Sequence, residues 1–508
     1  MIVIKRGKEL LKSFAWDGAD VTVAALLDMA GVPVDQPCGG HGRCGKCRVK
    51  AFGDISEPSA QERSKLTDVE LAEGIRLACC TRIQGERAEI VIGTAQQMVV
   101  ETDTTLRKME WAPWAKGLGV AVDIGTTTVA AYLWDLDTHS QLAVSACKNP
   151  QECYGADVIS RLEASLNGKT AELSNCIRQC LAQLSEDLCR KTGRAMKDIE
   201  GAVITGNTAM LYLLFGYDVH DLAFAPFAAA HRFGEFCNAR ELGLPWHENC
   251  RVYLPPCISA YVGADISCGL LACDARSDDT PAMLADVGTN GELVLRCGEK
   301  FCCCATAAGP AFEGVGISCG SSAIPGAIDR VEMTDGILEV HTIAGEPAKT
   351  VCGSGLMDAI YCLLKEEQIE ETGFIEDELP LAENVVLTQK DIRAFQLAKS
   401  AVCAGMETLF DYAGISVGEI KTVWLAGGFG NKLSPASAAG VGLIPAALAP
   451  VIVPTGNSAA AGASLLLRSK EAIEEICLIT AACETVDLAT SPVFQARFMD
   501  DMMLGEVR

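Results

Sequence analysis

The stretch Val120-Ala-Val-Asp-Ile-Gly-Thr-Thr-Thr128 has a counterpart later in the chain, Met283-Leu-Ala-Asp-Val-Gly-Thr-Asn290. The two segments align without a gap, and each places an aspartate, Asp123 or Asp286, directly before x-Gly-Thr. In both, an apolar run typical of a buried strand leads into a Gly/Thr hairpin, and a second apolar strand follows. Because an internal duplication sets the architecture of a chain, we predict two α/β lobes whose hairpins face each other.

The residue types at these hairpins are those that bind nucleotide phosphates. An aspartate at a strand end can hold Mg²⁺ through waters, while hairpin N–H groups and threonine hydroxyls donate to phosphate oxygens. A third element, Val423-Trp-Leu-Ala-Gly-Gly-Phe-Gly430, would lay glycine backbone against adenine and ribose without a Cβ clash. Each motif alone is a common turn, but their order, duplication and spacing together predict an ATP site. The sequence contains no GxxxxGK[ST], so this is not a P-loop enzyme.

The predicted nucleotide site draws on four glycine-containing segments. Asp123 and Asp286 are the candidate catalytic residues, which would hold Mg²⁺. The segment Gly353-Ser-Gly355 opens an apolar helical pattern, and a helix N-terminus of this kind binds anions readily. The residues expected to contact the nucleotide are Gly125, Thr126, Thr127, Gly288, Thr289, Asn290, Gly353, Ser354, Gly355, Gly427, Gly428 and Gly430.

Upstream of the hairpins, cysteines follow the spacing of an iron–sulfur site. Cys38-Gly-Gly-His-Gly-Arg-Cys44-Gly-Lys-Cys47 is followed by Cys79, which gives C-x5-C-x2-C-x31-C. Four thiolates so spaced can close on one [2Fe–2S] cluster, although the commonest plant-type loop has a first gap of four residues. A zinc site is the alternative, but zinc sites usually pair CxxC with a second CxxC or with histidines. Cys80 competes with Cys79 for the fourth position, and the Leu-Ala-Cys order of ferredoxin-like sequences favours Cys79.

Composition limits the classes of partner and compartment. The chain has 508 residues, 49% of them hydrophobic, and a net charge of −24, which disfavours nucleic acid and anionic membrane surfaces as partners. The first residues lack the apolar core of a signal peptide, and no unbroken apolar run is long enough for a membrane span. The 25 cysteines therefore do not indicate a disulfide framework; they suggest a reducing, anaerobic cytoplasm.

Domain boundaries follow from these patterns. Residues 1–96 alternate short strand patterns with turns around one helix, predicted at residues 21–30, and resemble a ferredoxin-type β-grasp domain. Residues 97–118 form a linker, residues 119–280 the first lobe, and residues 281–508 the second lobe with a C-terminal tail. The predicted fold class is an α+β β-grasp ferredoxin domain followed by a two-lobed α/β ATPase.

Residues 119 to about 470 resemble the superfamily of acetate and sugar kinases, actin and the 70-kDa heat-shock chaperones. The Asp123 and Asp286 segments resemble its two phosphate motifs, and Gly427-Gly-Phe-Gly430 resembles its adenosine motif. Ala260-Tyr-Val-Gly-Ala-Asp-Ile266 and Asn457-Ser-Ala-Ala-Ala-Gly-Ala463 resemble the two connecting helices that hinge the lobes. The resemblance implies an RNase H-like fold in each lobe.

The join of this unit to a ferredoxin domain makes nearly the whole chain resemble the reductive activators of corrinoid proteins. Thr205-Gly-Asn-Thr-Ala-Met210, Ala308-Gly-Pro-Ala-Phe-Glu-Gly314 and Val351-Cys-Gly-Ser-Gly-Leu-Met-Asp358 resemble segments of that family. The resemblance implies ATP-dependent transfer of one electron from the cluster to a corrinoid methyl-transfer protein, reducing inactive Co(II) to Co(I). It also implies an external low-potential electron donor and a homodimer.

Two other functions remain open from the sequence alone. The chain could be a small-molecule kinase with a redox-sensing ferredoxin appendage, but no clear catalytic aspartate motif for such a kinase stands out. It could also be an electron carrier with a degenerate nucleotide fold, but intact Asp123, Asp286 and Gly427-Gly-Phe-Gly430 argue against degeneration.

Overall fold

The computed structural model describes residues 1–36, 38–93, 107–430 and 432–507. The predicted linker is therefore seen only from residue 107 onward, because residues 94–106 lie outside the described residues. In the part of the chain that the structure describes, no helix is both long and apolar enough to cross a bilayer.

The N-terminal elements form a mixed sheet of strand order β2-β1-β6-β4-β5, with β3 pairing with β6. The predicted helix begins two residues later than expected, because the Thr22 side chain accepts a hydrogen bond from Ala25 N and so caps the helix start. The elements are β1 (Ile2–Arg6), β2 (Glu9–Phe14), β3 (Val21–Thr22), α1 (Val23–Met29), β4 (Arg48–Ile55), α2 (Ala60–Arg63), α3 (Asp68–Ala72), β5 (Ile75–Leu77) and β6 (Arg82–Ile92).

The next group of elements is organised around strand β7, whose apolar run is explained by burial on both faces. Val120 and Val122 pack into a core with the helices of this lobe, whereas Ala121 packs into a different core on the opposite face. The elements are β7 (Leu118–Ile124), β8 (Thr128–Asp135), β9 (Ser140–Lys148), α4 (Val158–Ala164), α5 (Thr170–Thr192), β10 (Ile199–Gly206), α6 (Thr208–Phe215), α7 (His220–Ala223), β11 (Glu235–Asn238), β12 (Arg251–Leu254) and α8 (Ala264–Ala272).

The last group repeats this plan around β13 and adds small sheets and a helical tail. Its strands are β13 (Ala282–Val287), β14 (Gly291–Cys297), β15 (Lys300–Thr306), β16 (Ala327–Thr334), β17 (Ile337–Thr342), β18 (Thr350–Val351), β19 (Leu379–Ala382), β20 (Val385–Leu387), β21 (Thr422–Ala426), β22 (Ile452–Gly456) and β23 (Cys483–Thr485). Its helices are α9 (Gly353–Lys365), α10 (Gln389–Ala413), α11 (Gly427–Gly430), α12 (Pro435–Gly440), α13 (Ser458–Arg468), α14 (Lys470–Ala481) and α15 (Pro492–Asp500).

The two large sheets share a five-strand core, β12-β10-β7-β8-β9 in the first and β22-β21-β13-β14-β15 in the second, and each adds a different edge strand. Their strand orders are β11-β12-β10-β7-β8-β9 and β22-β21-β13-β14-β15-β23. In each, the aspartate-bearing strand pairs antiparallel with the next strand and parallel with a later one: β7 with β8 and β10, and β13 with β14 and β21. The repeat in the sequence is therefore a repeat of the fold.

Helices α8 and α13 join the two lobes. Residues of both helices share a core with Ala121 of the first sheet and Leu284 of the second. The helices approach closely at Gly462, where a Cβ would lie 2.1 Å from the Cys268 carbonyl oxygen, so only glycine fits. The end of the linker packs on the same region, because the Trp114 indole donates to Leu466 O at 2.8 Å.

Candidate functional site

The two predicted phosphate hairpins line one cleft between the lobes. The cleft has a volume of about 670 Å³. Glu313 lies between the hairpins, and its Oε2 accepts hydrogen bonds from Thr127 Oγ1 at 2.9 Å and Thr289 Oγ1 at 2.8 Å. Because Thr127 belongs to the first lobe and Glu313 to the second, this carboxylate bridges the mouths of both hairpins.

Most of the residues predicted to contact a nucleotide lie in the cleft wall. Those in the wall are Asp123, Gly125, Thr126, Thr127, Asp286, Gly288, Thr289, Asn290, Gly353, Ser354, Gly427 and Gly428. One predicted contact, Gly355, is not among the lining residues that the structure describes. Gly355 faces the neighbouring strand, where a Cβ would lie 2.2 Å from Ile328 O, so its role is close packing of α9 on β16. Gly430 is the last residue of the short helix α11.

Carboxylates from several elements converge in the cleft, and those of Asp265 and Glu292 were not predicted from the sequence as site residues. Asp123 and Asp286 are joined by Asp265, Glu292 and Glu313. Burial raises the pKa of Asp123 to about 7, with the charge of Asp286 adding to the effect. Burial and the neighbouring aspartates raise the pKa of Asp265 to about 8. Burial raises the pKa of Asp286 to about 6, with the charge of Glu313 contributing.

This donor set fits a divalent cation. Mg²⁺ prefers carboxylate and water oxygens, and a cation would relieve the mutual repulsion that disfavours ionisation of these acids. The Asn457 side chain donates to Asp123 Oδ2 at 2.9 Å and so fixes the orientation of that carboxylate. Asp265 lies in the segment that resembles a connecting helix, and Glu292 follows the second hairpin by two residues, but neither was expected to supply a carboxylate to the cleft.

The first hairpin is held from behind by two further residues. Arg161 Nη2 donates to Thr126 O at 2.6 Å, and its Nε donates to Gly155 O at 2.8 Å. Asn149 Nδ2 donates to Gly125 O at 2.8 Å. These side chains satisfy the carbonyl oxygens of the turn, which leaves its N–H groups available to a ligand. The Arg161 side chain is fully buried, and burial lowers its pKa to about 10.

Gly427 places the third glycine element against the second aspartate. Its φ is +88°, and a Cβ there would lie 2.7 Å from Asp286 Oδ1 and 2.8 Å from Val287 O. No other residue could hold this conformation so close to the strand end. The backbone of Gly427 and Gly428 therefore forms a side of the cleft next to the carboxylates.

Two of the thiols predicted to hold the cluster, those of Cys47 and Cys79, are in contact. Cys47 Sγ lies 3.3 Å from Cys79 Sγ, and their contact lowers the pKa of the Cys47 thiol to about 7. Although burial acts against it, backbone N–H groups of Cys44, Arg43 and His41 lower the pKa of the Cys38 thiol. Inward-pointing N–H groups and a thiolate-stabilising loop fit an iron–sulfur cluster.

Glycines give this loop its shape. At Gly42 a Cβ would lie 2.9 Å from Cys80 Sγ, so the loop folds over that thiol. Cys80 Sγ is itself only 3.7 Å from Cys79 Sγ, so distance alone does not exclude Cys80 as the fourth ligand. All four loop glycines have φ in the left-handed region, as expected: Gly39, Gly40, Gly42 and Gly45.

The cysteine loop faces the two lobes. Lys46, between two of the predicted cluster ligands, donates to Gly320 O at 3.3 Å. Gln36 donates to Cys153 O at 3.1 Å, and Lys148 donates to Asp35 at 2.7 Å. Ser321, the residue after Gly320, lines the nucleotide cleft. A short stretch of backbone thus connects the wall of the cleft to the cysteine loop.

Three family models match the chain in succession. A 2Fe-2S iron-sulfur cluster binding domain matches residues 13–84, the RACo middle region matches residues 118–278, and the C-terminal domain of RACo, described as the ASKHA domain, matches residues 280–507. Together they cover both the cysteine loop and the cleft.

Individual proteins show the same similarity. The corrinoid activation enzyme RamQ of Eubacterium limosum is 31% identical over 76% of this chain and 70% of its own length. The [Co(II) methylated amine-specific corrinoid protein] reductase of Methanosarcina barkeri is 27% identical over 76% of each chain. A solved structure of a reductive activator for corrinoid,iron-sulfur protein superposes with a TM-score of 0.72 at 26% identity, covering 99% of this chain and 98% of that one.

Proposed function

The chain belongs to the RACo family of reductive activators of corrinoid proteins, and from that premise we propose that it activates a corrinoid methyl-transfer protein in an ATP-dependent reaction. It passes one electron to the partner's cobalt and reduces inactive Co(II) to Co(I). One observation carries the proposal: the same chain contains a four-cysteine site and a cleft lined by two phosphate hairpins. The two are linked by the hydrogen bond from Lys46 to Gly320 O, next to the cleft wall.

The cluster site in this proposal consists of Cys38, Cys44, Cys47 and Cys79. A [2Fe–2S] cluster bound there would supply single electrons. Plant-type ferredoxins have reduction potentials of about −400 mV, and we expect a similar value here. Cys47 lies just before β4 and Cys79 lies in the turn after β5, with their thiols 3.3 Å apart. The loop backbone holds Cys38 among N–H donors, which stabilises negative charge on sulfur.

ATP is needed because the electron transfer is uphill. Reduction of Co(II) to Co(I) is expected to need a more negative potential than the cluster provides, and each ~59 mV of deficit costs a factor of ten in a one-electron equilibrium. A bound ligand shifts such an equilibrium only by its different affinities for the two states. We therefore propose that nucleotide binding changes the fit between this chain and the Co(II) partner.

Different residues of the cleft contact the metal ion, the phosphates and the nucleoside in this proposal. Asp123 and Asp286 hold Mg²⁺, Thr126, Thr127 and Thr289 donate to phosphate oxygens, and Gly427 and Gly428 lie against the nucleoside. Support comes from the meeting of both hairpins at Glu313, since a phosphate that accepts from Thr127 and Thr289 must displace the carboxylate that now does so. Nucleotide binding would in this way exchange one bridge between the lobes for another.

Reduction of a Co(II) corrinoid protein is the direct test. The anaerobically purified chain is mixed with a reductant and a corrinoid protein of a methyltransferase system, and the visible spectrum of the cobalt is followed with ATP, with ADP, and without nucleotide. We expect reduction to Co(I) only in the ATP reaction, and loss of that reduction in Asp286→Asn. Equal rates in all three reactions would remove ATP from the function.

Three accompanying features are proposals of the same kind. An external low-potential donor reduces the chain between turnovers, the chain acts as a homodimer, and it works in a reducing cytoplasm. The last proposal is supported by the 25 cysteines, all of which are unpaired in the structure.

A further inference from the structure

The C-terminal segment of the chain docks along the long helix α10. Successive turns of the helix use side chains to bind its backbone: Gln396 Nε2 donates to Met502 O at 2.5 Å, Lys399 Nζ donates to Met503 O, and Ser400 Oγ donates to Phe498 O. One turn further along the same face come Cys403 and then Glu407, four residues apart. Opposite them lies Asp501, at the end of α15.

These three side chains form a buried cluster in which two carboxylate oxygens have no hydrogen-bond partner. One ligand atom from each of Cys403, Glu407 and Asp501 lies within 4.8 Å of the other two. Cys403 is fully buried, and Asp501 is 6% exposed. Asp501 Oδ2 and Glu407 Oε2 are both buried without a hydrogen-bond partner. A buried, ionised carboxylate oxygen left in this state costs free energy, which either protonation or a bound cation relieves.

We propose that Cys403, Glu407 and Asp501 bind a zinc ion that joins α10 to the C-terminal segment. A thiolate with two carboxylates suits a borderline-soft ion such as Zn²⁺, whereas Mg²⁺ and Ca²⁺ take oxygen ligands only. With bonds of about 2.0–2.3 Å, neighbouring ligands of a tetrahedral zinc lie roughly 3.5 Å apart. Rotation of the carboxylate side chains supplies the contraction of about 1 Å, and water completes the tetrahedron.

Charge balance at the site agrees with a divalent ion. The three deprotonated ligands carry three negative charges, the ion carries two positive charges, and the buried Lys399 ammonium one turn away carries the remaining positive charge. The other nearby cation is Arg497, whose Nε lies 3.6 Å from Glu407 Oε2, but its side chain is 52% exposed. An exposed guanidinium beyond hydrogen-bond distance does not satisfy the buried oxygens.

The site stands apart from the cysteine loop and the cleft carboxylates but supports the cleft through α10. Val402, the neighbour of Cys403, packs against Gly291, the residue that follows the second phosphate hairpin: a Cβ at Gly291 would lie 3.2 Å from Val402 Cγ2. Fixing α10 to the C-terminal segment therefore steadies the support of that hairpin.

Elemental analysis tests the proposal on the full chain with its iron–sulfur cluster in place. Protein produced with added zinc is purified anaerobically, dialysed against a weak chelator, and analysed for zinc and iron. We expect about one zinc per chain in the wild type, and a loss of at least tenfold in Cys403→Ala and Asp501→Asn. Cys362→Ala, which removes another buried thiol of the same lobe, is the matched control and keeps its zinc.

A second readout protects the test from misfolded variants. Cobalt replaces zinc, and the long-wavelength ligand-field bands of tetrahedral Co(II) report a thiolate-containing site. Glu407→Gln, the mildest change, should weaken or shift these bands while the iron content and far-ultraviolet circular dichroism stay unchanged. A wild type without zinc after loading, or zinc retained equally by wild type and all variants through other thiols, would overturn the proposal.

Discussion

Thr127 Oγ1 of the first lobe donates a hydrogen bond to Glu313 Oε2 of the second lobe at a distance of 2.9 Å. Thr289 donates to the same oxygen, so the two hairpins derived from the internal repeat share one acceptor. A negative charge thus occupies the position where both hairpins would meet a phosphate. This relationship makes Glu313 a competitor of the nucleotide in the closed cleft.

Removing that charge should tighten nucleotide binding. We expect Glu313→Gln to lower the Kd for a non-hydrolysable MgATP analogue about 3- to 10-fold, because about 1 kcal/mol of repulsion between like charges is removed. Isothermal titration calorimetry measures the change, and Glu299→Gln in an exposed turn is the control. Weaker binding in Glu313→Gln would mean that Glu313 helps to hold the metal ion instead.

The hairpin aspartates should be needed for magnesium-dependent hydrolysis. We expect Asp123→Asn and Asp286→Asn each to lower the partner-stimulated ATPase rate by about 100-fold or more, since each removes a charge that positions the cation. Phosphate release at increasing magnesium concentration measures the effect. Asp279→Asn, at an exposed position near β13, should hydrolyse ATP like the wild type; rates unchanged in both cleft variants would contradict the assignment.

The fourth cluster ligand can be identified with a pair of neighbouring variants. We expect Cys79→Ser to lose or strongly shift the visible absorption of the reconstituted cluster, because the Cys79 thiol lies 3.3 Å from that of Cys47. Cys80→Ser should keep the wild-type spectrum and two irons per chain, as expected for one [2Fe–2S] cluster. The reverse pattern would assign the position to Cys80, whose thiol packs under Gly42.

Two short helices of the ferredoxin domain, α2 and α3, each begin with a capping box, in which a glutamate side chain accepts a hydrogen bond from the N-cap backbone. The two glutamates allow the stabilising effect of a buried ion pair to be compared with that of an exposed one. Glu62 and Glu70 each close such a box, but Glu62 is fully buried against Arg76 whereas Glu70 contacts Arg48 near the surface. We expect Glu62→Gln to lower the free energy of unfolding of this domain by about 3 kcal/mol and Glu70→Gln by less than about 1 kcal/mol. Urea unfolding followed by loss of cluster absorption measures both values.

The Glu62 contribution should depend on pH. Burial acts to raise the pKa of Glu62, but hydrogen bonds from Arg76, Ser59 and Thr81 outweigh it and lower the pKa below the ordinary value of 4.5. The stabilisation is therefore complete above the unfolded-state pKa and decreases as the pH falls through the folded-state pKa. Equal stability of wild type and Glu62→Gln at neutral pH would show that the buried pair contributes nothing.

Local patterns predicted the strands, the hairpins and the duplication, because these depend on neighbouring residues. Glu292 was missed although it pairs with Asp286 across the second hairpin. The cleft positions of Asp265 and Arg161 could not be predicted, because each reaches the site from a separate helix through tertiary packing. The same limit explains Gly355, where a phosphate-like Gly-Ser-Gly pattern was predicted to contact the nucleotide. The structure shows a different need for glycine there, the 2.2 Å approach to Ile328 O.

The polar contacts that hold the cysteine loop against the lobes have a kinetic consequence. The ion pair Lys148–Asp35 is about half exposed, and such pairs contribute little to stability and are screened by salt. The ferredoxin domain should therefore leave and regain this position at a frequency that rises with ionic strength. If the partner's cobalt can be reached only when the domain is released, turnover will increase as modest amounts of salt are added, before higher salt weakens encounter with the partner.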